Sequence, residues 1–225
     1  DYCTSDRIEL SVRKMMELPQ DYIGVYGMAL FYTEMSEADY RRKETFFLPH
    51  PSEPRLSGDM AARTRQGNMM NLPTILVRRS ALEFAGPFDE RLRQNVDWDL
   101  CLRLTRQGKF GFVPEVLILS SNPLDPLIEA TKISRSALQG ARSFVRITGK
   151  LRREGMTGPY LAAHYASAGR NLLHVNRPKL ARPFLRASLA GDPWKLRIWA
   201  HYLLSFTPGL HARLRKVNRY GFTGG

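Results

Sequence analysis

Apolar and polar positions follow two different periods along the first 120 residues. Residues 5–18 place apolar side chains near helical spacing and stop at Pro19, which predicts a helix. Residues 21–35 are rich in Tyr, Ile, Val and Phe, a composition typical of a strand. Helical and strand-like segments keep alternating as far as residue 120, and this order predicts an α/β sheet.

Shorter patterns fill the rest of this part. They predict a strand over 73–77, a helical turn over 78–86, a helix over 98–107, and two strands over 109–120 separated by Pro114. Residues 36–66 are polar and charged with three prolines, and they predict a long surface excursion.

After residue 121 the strand signals stop. Helices are predicted over 125–154, 158–174, 178–190 and 193–206. The run from Ala162 to Pro193 resembles one helix pair of a tetratricopeptide-type repeat, but no second copy follows at a period of about 34 residues. We therefore expect a helical hairpin packed beside the α/β part rather than a solenoid.

Charge divides the chain at the same place. The 225 residues carry a net charge of +13; residues 1–120 have 16 Lys/Arg and 17 Asp/Glu, whereas residues 121–225 have 18 and 4. We predict an α/β part, 1–120, and a basic α-helical tail, 121–225. Such a tail suits an anionic membrane surface or another polyanion. Nucleic acid is the less favoured partner, because no DNA- or RNA-binding motif accompanies the charge.

The cysteines and the apolar runs bear on location. Cys3 and Cys101 lie far apart and form no CxxC, so we expect two buried thiols and no disulfide framework. No apolar run reaches the roughly 18 residues that a membrane-spanning helix needs. We expect a cytoplasmic protein, or one bound peripherally to the inner face of the membrane.

The densest carboxylates lie in GPFDERLRQNVDWDLCLRL, residues 86–104. Together with GNMMNLPTILVRR at 67–79 and PEVL at 114–117, this stretch resembles the C-terminal half of a family 2 glycosyltransferase domain of the GT-A fold. The resemblance covers about 50 residues in order. The E-D-W-D-L motif of the family falls on Asp97–Leu100, with Val96 where the family usually has Glu.

The resemblance implies a partial GT-A, Rossmann-like sheet-and-helix half and an inverting sugar transfer. The donor would be a nucleotide sugar and the acceptor a hydroxyl of a glycan or lipid-linked molecule, in surface polysaccharide or glycolipid assembly. Asp97 matches the catalytic aspartate and would act as general base. Asp89, Glu90, Trp98 and Asn68 would bind substrate, although Trp98 is equally suited to the core.

The resemblance also places Asp1 at the edge of the aspartate-rich metal motif of the family. A divalent ion, Mg²⁺ or Mn²⁺, is therefore expected in the complete protein. On this register the nucleotide-binding half precedes Asp1, and residues 1–225 alone are expected to be inactive. The alternative function is a non-catalytic basic helical module that binds an anionic membrane or another polyanion.

Overall fold

The chain divides into two compact units. The computed structural model describes residues 2–32, 45–50, 56–121 and 137–207. The first unit comprises Asp1–Glu90 and Val96–Lys132, and the second comprises Arg91–Asn95 and Ile133–Gly225. No pattern in the sequence indicated that the five residues before Val96 belong with the helical segments.

A mixed sheet of five strands forms the described centre of the first unit. Its strand order is β1-β5-β2-β3, and β4 also pairs with β2. Strands β2 and β5 run parallel, while the other pairs are antiparallel. The α/β class is therefore confirmed. The strands are β1 (Tyr2–Cys3), β2 (Tyr22–Tyr32), β3 (Thr45–Leu48), β4 (Leu76–Val77) and β5 (Lys109–Ser121).

Four α-helices accompany this sheet within the described residues. Helix α1 is the predicted one, and it packs Leu10 and Met15 against the sheet. Helix α3 ends at Gly86, as expected. The backbone φ of Gly86 is 76°, a left-handed conformation that favours glycine. Helix α4 begins at Val96, two residues earlier than predicted, so Asp97 lies inside its first turn. The bounds are α1 (Arg7–Glu17), α2 (Ala61–Gln66), α3 (Arg79–Ala85) and α4 (Val96–Leu104).

Strand β5 corrects the prediction of two strands separated by Pro114. It is one strand that accommodates the proline as an irregularity in its pairing with β2. Gly27 is opposite Val113, whereas the next residue, Met28, is opposite Val116. The two intervening residues of β5 are therefore extra. Proline is tolerated at such a bulge because no ladder hydrogen bond is required from it there.

The predicted surface excursion over residues 36–66 is wrong for the part that the structure describes. Strand β3 pairs with β2, and α2 follows further along the same segment. Leu56 and Met60 are buried in the core of the first unit. Leu56 and Met60 are isolated large apolar residues and belong to no helical or strand-like repeat of apolar positions. Their burial was therefore not predictable from the sequence pattern.

Tyr26 of β2 lies in the core of the first unit. Its ring is fully buried and contacts Phe110 and Phe112 of β5, with centroids 6.5 and 5.4 Å apart. Its hydroxyl donates a hydrogen bond of 2.8 Å to the carbonyl oxygen of Leu56. Helix α4 adds Leu100 and neighbouring residues to the same cluster. Sheet and helix thus share one core, which fixes the faces that α4 can present outward.

The second unit is helical in its described residues, as predicted, and consecutive helices pack on one another. The four helices described there correspond to the four that the sequence predicts over 125–154, 158–174, 178–190 and 193–206. Of the first predicted helix, 125–136 lies outside the described residues. No helix in the described ranges is long and apolar enough to cross a membrane. The helices are α5 (Ala137–Arg153), α6 (Gly158–His174), α7 (Pro178–Gly191) and α8 (Leu196–Leu204).

The segment Arg91–Asn95 is anchored within the second unit by Ser143 of α5. The Ser143 hydroxyl oxygen accepts hydrogen bonds from the backbone N–H groups of Arg93 and Gln94, at 3.3 and 3.1 Å. Ser143 itself is buried. Arg93 and Gln94 are therefore held within the second unit by hydrogen bonds from their backbone N–H groups to a side chain.

Gly24 of β2 offers a test of the packing between strands. An added Cβ would lie 2.7 Å from the Phe110 ring and 2.9 Å from the Leu76 carbonyl oxygen. We expect Gly24→Ala to lower the free energy of unfolding by about 1–3 kcal/mol in urea titrations followed by circular dichroism. Gly67→Ala is the control, because a Cβ there meets nothing within 4 Å. Equal losses in both variants would contradict the close approach.

Candidate active site

Helix α4 presents Asp97 in its first turn. The residue before the helix, Asn95, has φ 58°, a left-handed conformation that asparagine tolerates better than most residues. The Asp97 side chain is half-buried rather than fully exposed. Asp97 lies in the turn whose backbone N–H groups have no partner within the helix itself.

Asn68 contacts Asp97 directly. The Asn68 side-chain amide donates from Nδ2 to Asp97 Oδ2 over 2.7 Å, across 29 positions of sequence. An ionised carboxylate only accepts hydrogen bonds, so the nitrogen of the amide must face it. The two residues that the resemblance assigned to base and substrate binding therefore lie together. The bond occupies one carboxylate oxygen and restricts the rotation of the group.

Asn68 is held in place by its neighbours. It follows the end of α2, and the next two residues, Met69 and Met70, are buried in the core. Its oxygen, Oδ1, is also buried and accepts no hydrogen bond from the described residues. A buried acceptor of this kind is costly when it is unpaired.

Trp98 belongs to the core, which decides between the two roles considered for it. Its side chain is 2% exposed, and the indole N–H donates to the carbonyl oxygen of Thr64 over 2.6 Å. A ring so enclosed presents no face on which a sugar can stack. Trp98 instead ties α4 to α2, and it does so one residue after Asp97.

Asp99 makes a second tie, between α4 and the end of α3. Its carboxylate is buried and accepts a 3.1 Å hydrogen bond from Arg103 Nε, one turn further on. The same guanidinium donates to the carbonyl oxygens of Ala85 and, at 3.0 Å, Gly86. Arg103 was not among the residues singled out from the sequence, although a basic residue four positions after a carboxylate is a recognisable helix pair.

Cys101 lies one turn after Asp97 and is fully buried, as predicted. Burial first, and the charge of Asp97 second, raise the pKa of this thiol to about 12. It therefore stays protonated at neutral pH and is not a nucleophile. The matching prediction for Cys3 is wrong, because that residue is exposed on the short edge strand β1.

An apolar hollow of about 320 Å³ lies where α3 ends and α4 passes. It is lined by Leu82, Glu83, Gly86, Pro87, Phe88 and Leu100. Phe88 is 47% exposed, so a bound molecule can reach its ring. The sequence motif predicted a role for Asp89 and Glu90, the carboxylates that follow Phe88. It did not predict that the Phe88 ring lines a hollow.

The remaining predicted site residues are less constrained. Asp89 is half-buried and Glu90 is exposed in the turn after α3, and their roles in binding an acceptor stay predictions. Asp1, the expected metal ligand, lies outside the described residues. Among those described, no three His, Cys, Asp or Glu side chains gather to hold a metal ion. The divalent ion expected in the complete protein stays a prediction.

Comparison with known proteins adds no relative. No protein-family model, no curated protein and no solved structure matches this chain. The assignment of a function consequently depends on the motif resemblance and on the geometry around Asp97.

The Asp99–Arg103 pair predicts a stability effect. Asp99→Asn leaves the Arg103 guanidinium without its countercharge in a mostly buried place, so we expect a loss of about 2 kcal/mol in the free energy of unfolding. Glu9→Gln is the matched control, because Glu9 and Arg13 form an exposed pair at the same spacing in α1. For Glu9→Gln we expect the free energy of unfolding to fall by less than about 0.5 kcal/mol. Similar losses in both variants would show that the burial of Asp99 does not strengthen its pair with Arg103.

The two thiols should differ sharply in reactivity. In native protein at pH 8, a disulfide reagent such as Ellman's reagent should modify Cys3 quickly and leave Cys101 unmodified, because Cys101 is buried and protonated. A second equivalent of thiol should react when urea unfolds the protein and exposes Cys101. The pH dependence of stability gives a separate check. Above about pH 9 the Cys101 thiol ionises in the unfolded chain, whereas in the folded protein it stays protonated up to about pH 12. The free energy of unfolding should therefore begin to fall above about pH 9. Rapid modification of two thiols without denaturant would contradict the burial of Cys101.

Proposed function

We propose that this chain carries the acceptor side of an inverting glycosyltransferase of the GT-A fold, with Asp97 as the general base. The observation that carries the proposal is the 2.7 Å hydrogen bond between Asn68 and Asp97. It joins two segments of the resemblance, 29 positions apart in sequence, at a half-buried carboxylate. A simple helix cap would bond to backbone N–H groups and would not need an amide partner from another segment.

The chemistry that this carboxylate performs is proton removal. The acceptor hydroxyl gives its proton to Asp97 while its oxygen forms a bond to the anomeric carbon of the donor sugar. The bond from that carbon to the diphosphate oxygen breaks, and the nucleoside diphosphate leaves with the electron pair. One carboxylate is sufficient for this step, so Val96 in place of the usual Glu does not remove the base.

Asn68 acts as a positioning residue for this base. Its N–H holds Asp97 Oδ2, which leaves Asp97 Oδ1 to receive the proton. A fixed direction of the base restricts the approach of the acceptor hydroxyl, and restriction of the reacting groups lowers the barrier.

The apolar hollow is the surface that we propose for the acceptor, because its lining residue Leu100 lies three residues after Asp97 on α4 and residues at this spacing are neighbours on a helix. The exposed ring of Phe88 is one wall, and Leu82 and Leu100 are others. Sugar rings and lipid chains both have apolar faces that bind such a surface. The carbonyl oxygens of Ala85 and Gly86 are already bonded to Arg103, so one rim of the hollow is fixed.

The decisive experiment measures sugar transfer by the product of the gene, including any sequence that it encodes beyond residues 1–225. A panel of nucleotide sugars is tested with a mixture of glycan and lipid-linked acceptors. We expect Asp97→Asn to lower kcat by at least about 100-fold, because a general base contributes about that much or more. Unchanged turnover in Asp97→Asn would remove Asp97 as the base, and no transfer from any donor would remove the enzyme proposal.

Asn68 is tested against a neighbour of the same type. We expect Asn68→Ala to lower kcat by roughly 10-fold with little change in KM for the donor, because it disturbs the base and not donor binding. Asn71→Ala is the control, since Asn71 lies in the same connection and its amide has no bond to Asp97. Thermal unfolding of both variants checks the fold. Equal loss of kcat in the two variants would contradict a positioning role for Asn68.

A further inference from the structure

Helix α8 has an exposed face that is apolar along its length. Leu196, Trp199 and Leu203 follow one another at intervals of three and four residues, so they lie on one side of the helix. Their exposed fractions are 81%, 41% and 62%. Trp194 before the helix and Phe206 after it are 88% and 51% exposed. We call these five side chains the aromatic face.

The aromatic face is not the side that α8 needs for folding. The opposite side carries Ile198, which is 5% exposed and belongs to the core of the second unit. Tyr202 packs against the same core from one flank, and the buried Ser205 closes the helix. Helix α8 is thus apolar on nearly all sides, although the described residues cover only one of them. A helix at a water-exposed surface normally has a polar outer side, so this exposed apolar side is unusual.

Two rings of the face, Trp199 and Phe206, are held by contacts with neighbouring side chains and the backbone. Trp199 contacts Tyr202, and Tyr202 contacts Phe206, edge to face with centroids 6.2 and 5.3 Å apart. The Trp199 indole N–H donates to the carbonyl oxygen of Pro193 over 2.9 Å. The guanidinium of Arg182 lies 4.1 Å from the centre of the Phe206 ring. An ordered apolar surface loses little side-chain entropy when it binds a partner.

The charge around the face identifies what it can bind. Residues 137–207 contain 12 Lys/Arg and 2 Asp/Glu. One of the two acids, Asp192, is paired with Lys195 at 2.9 Å. Arg197 has no ion pair among the described residues, and it lies near Arg170, whose pKa is lowered by burial and then by the charge of Arg197. Two close guanidinium groups favour an anionic partner.

We propose that the aromatic face of α8 docks on the surface of an anionic phospholipid bilayer. Trp, Leu and Phe enter the region between headgroups and acyl chains, where amphipathic aromatic rings are stable, and the surrounding cations meet the headgroup phosphates. This surface belongs to the second unit and does not depend on sugar transfer by the first.

Two other occupants fit less well. A second copy of the chain would bring two strongly cationic units together, and their repulsion opposes contact. A nucleic acid would satisfy the cations and stack on the tryptophans, but it has no surface for Leu196 and Leu203. A bilayer accommodates the aliphatic and the aromatic members of the face together.

The test uses chain 1–225 and sedimentation with vesicles. One set of vesicles is pure phosphatidylcholine and the other contains 30% phosphatidylglycerol. We expect the wild type to pellet with the anionic vesicles and much less with the neutral ones. The double variant Trp194→Ser/Leu196→Ser should bind the anionic vesicles at least tenfold more weakly. The matched control, Met16→Ser/Phe84→Ser, removes two side chains that are 82% and 84% exposed in the first unit, and it should bind like the wild type.

Tryptophan fluorescence checks insertion separately from charge. Trp98 is buried, so quenching by brominated phosphatidylcholine in mixed anionic vesicles should report mainly Trp194 and Trp199. Wild type should be quenched and shifted to shorter wavelength. Equal pelleting by both double variants, or pelleting without any change in fluorescence, would overturn the proposal.

The competing occupants have their own results. A dimer in sedimentation equilibrium that is lost in Trp194→Ser/Leu196→Ser would assign the face to a second copy and overturn the proposal. Binding of single-stranded polyuridylate that this variant loses, while vesicle binding is unchanged, would assign it to nucleic acid. A monomer in which this variant loses vesicle binding and keeps any polyuridylate binding supports docking on the bilayer.

Discussion

Helix α4 is tied to its surroundings by three side chains, and the candidate site depends on those ties. Trp98 donates to the backbone of α2, Arg103 donates to the end of α3, and Asp97 accepts from Asn68. Leu100 and Cys101 continue the same helix into the core. Because the buried side of α4 is set by that packing, the direction of the Asp97 carboxylate is a result of how the first unit folds.

The elements with a strong period were predictable from the sequence. Helix α1 and the helices α6 and α7 bury one face each, and burial of one face leaves apolar residues at a spacing that can be counted. Gly86 ended α3 where a positive φ was needed, which is also a local signal. The α/β class followed from the order of such segments, without knowledge of how the strands pair.

Features that depend on contacts through space were not predictable in this way. The bulge in β5 needs its partner strand to explain why a proline does not end it. The burial of Leu56 and Met60 depends on a core assembled from distant segments. Trp98 looked equally suited to core and surface because its ring is both large and polar at one end. For Asn68, the resemblance suggested a place in the site, but the bond to Asp97 required coordinates.

The anchoring of Arg91–Asn95 by Ser143 bears on how the protein can be dissected. Composition suggests cutting the chain near residue 120, between a neutral part and a basic part. Such a cut would remove Ser143, which accepts the hydrogen bonds of the Arg93 and Gln94 N–H groups. A fragment of residues 1–120 would therefore carry Arg91–Asn95 without the helices that complete the second unit.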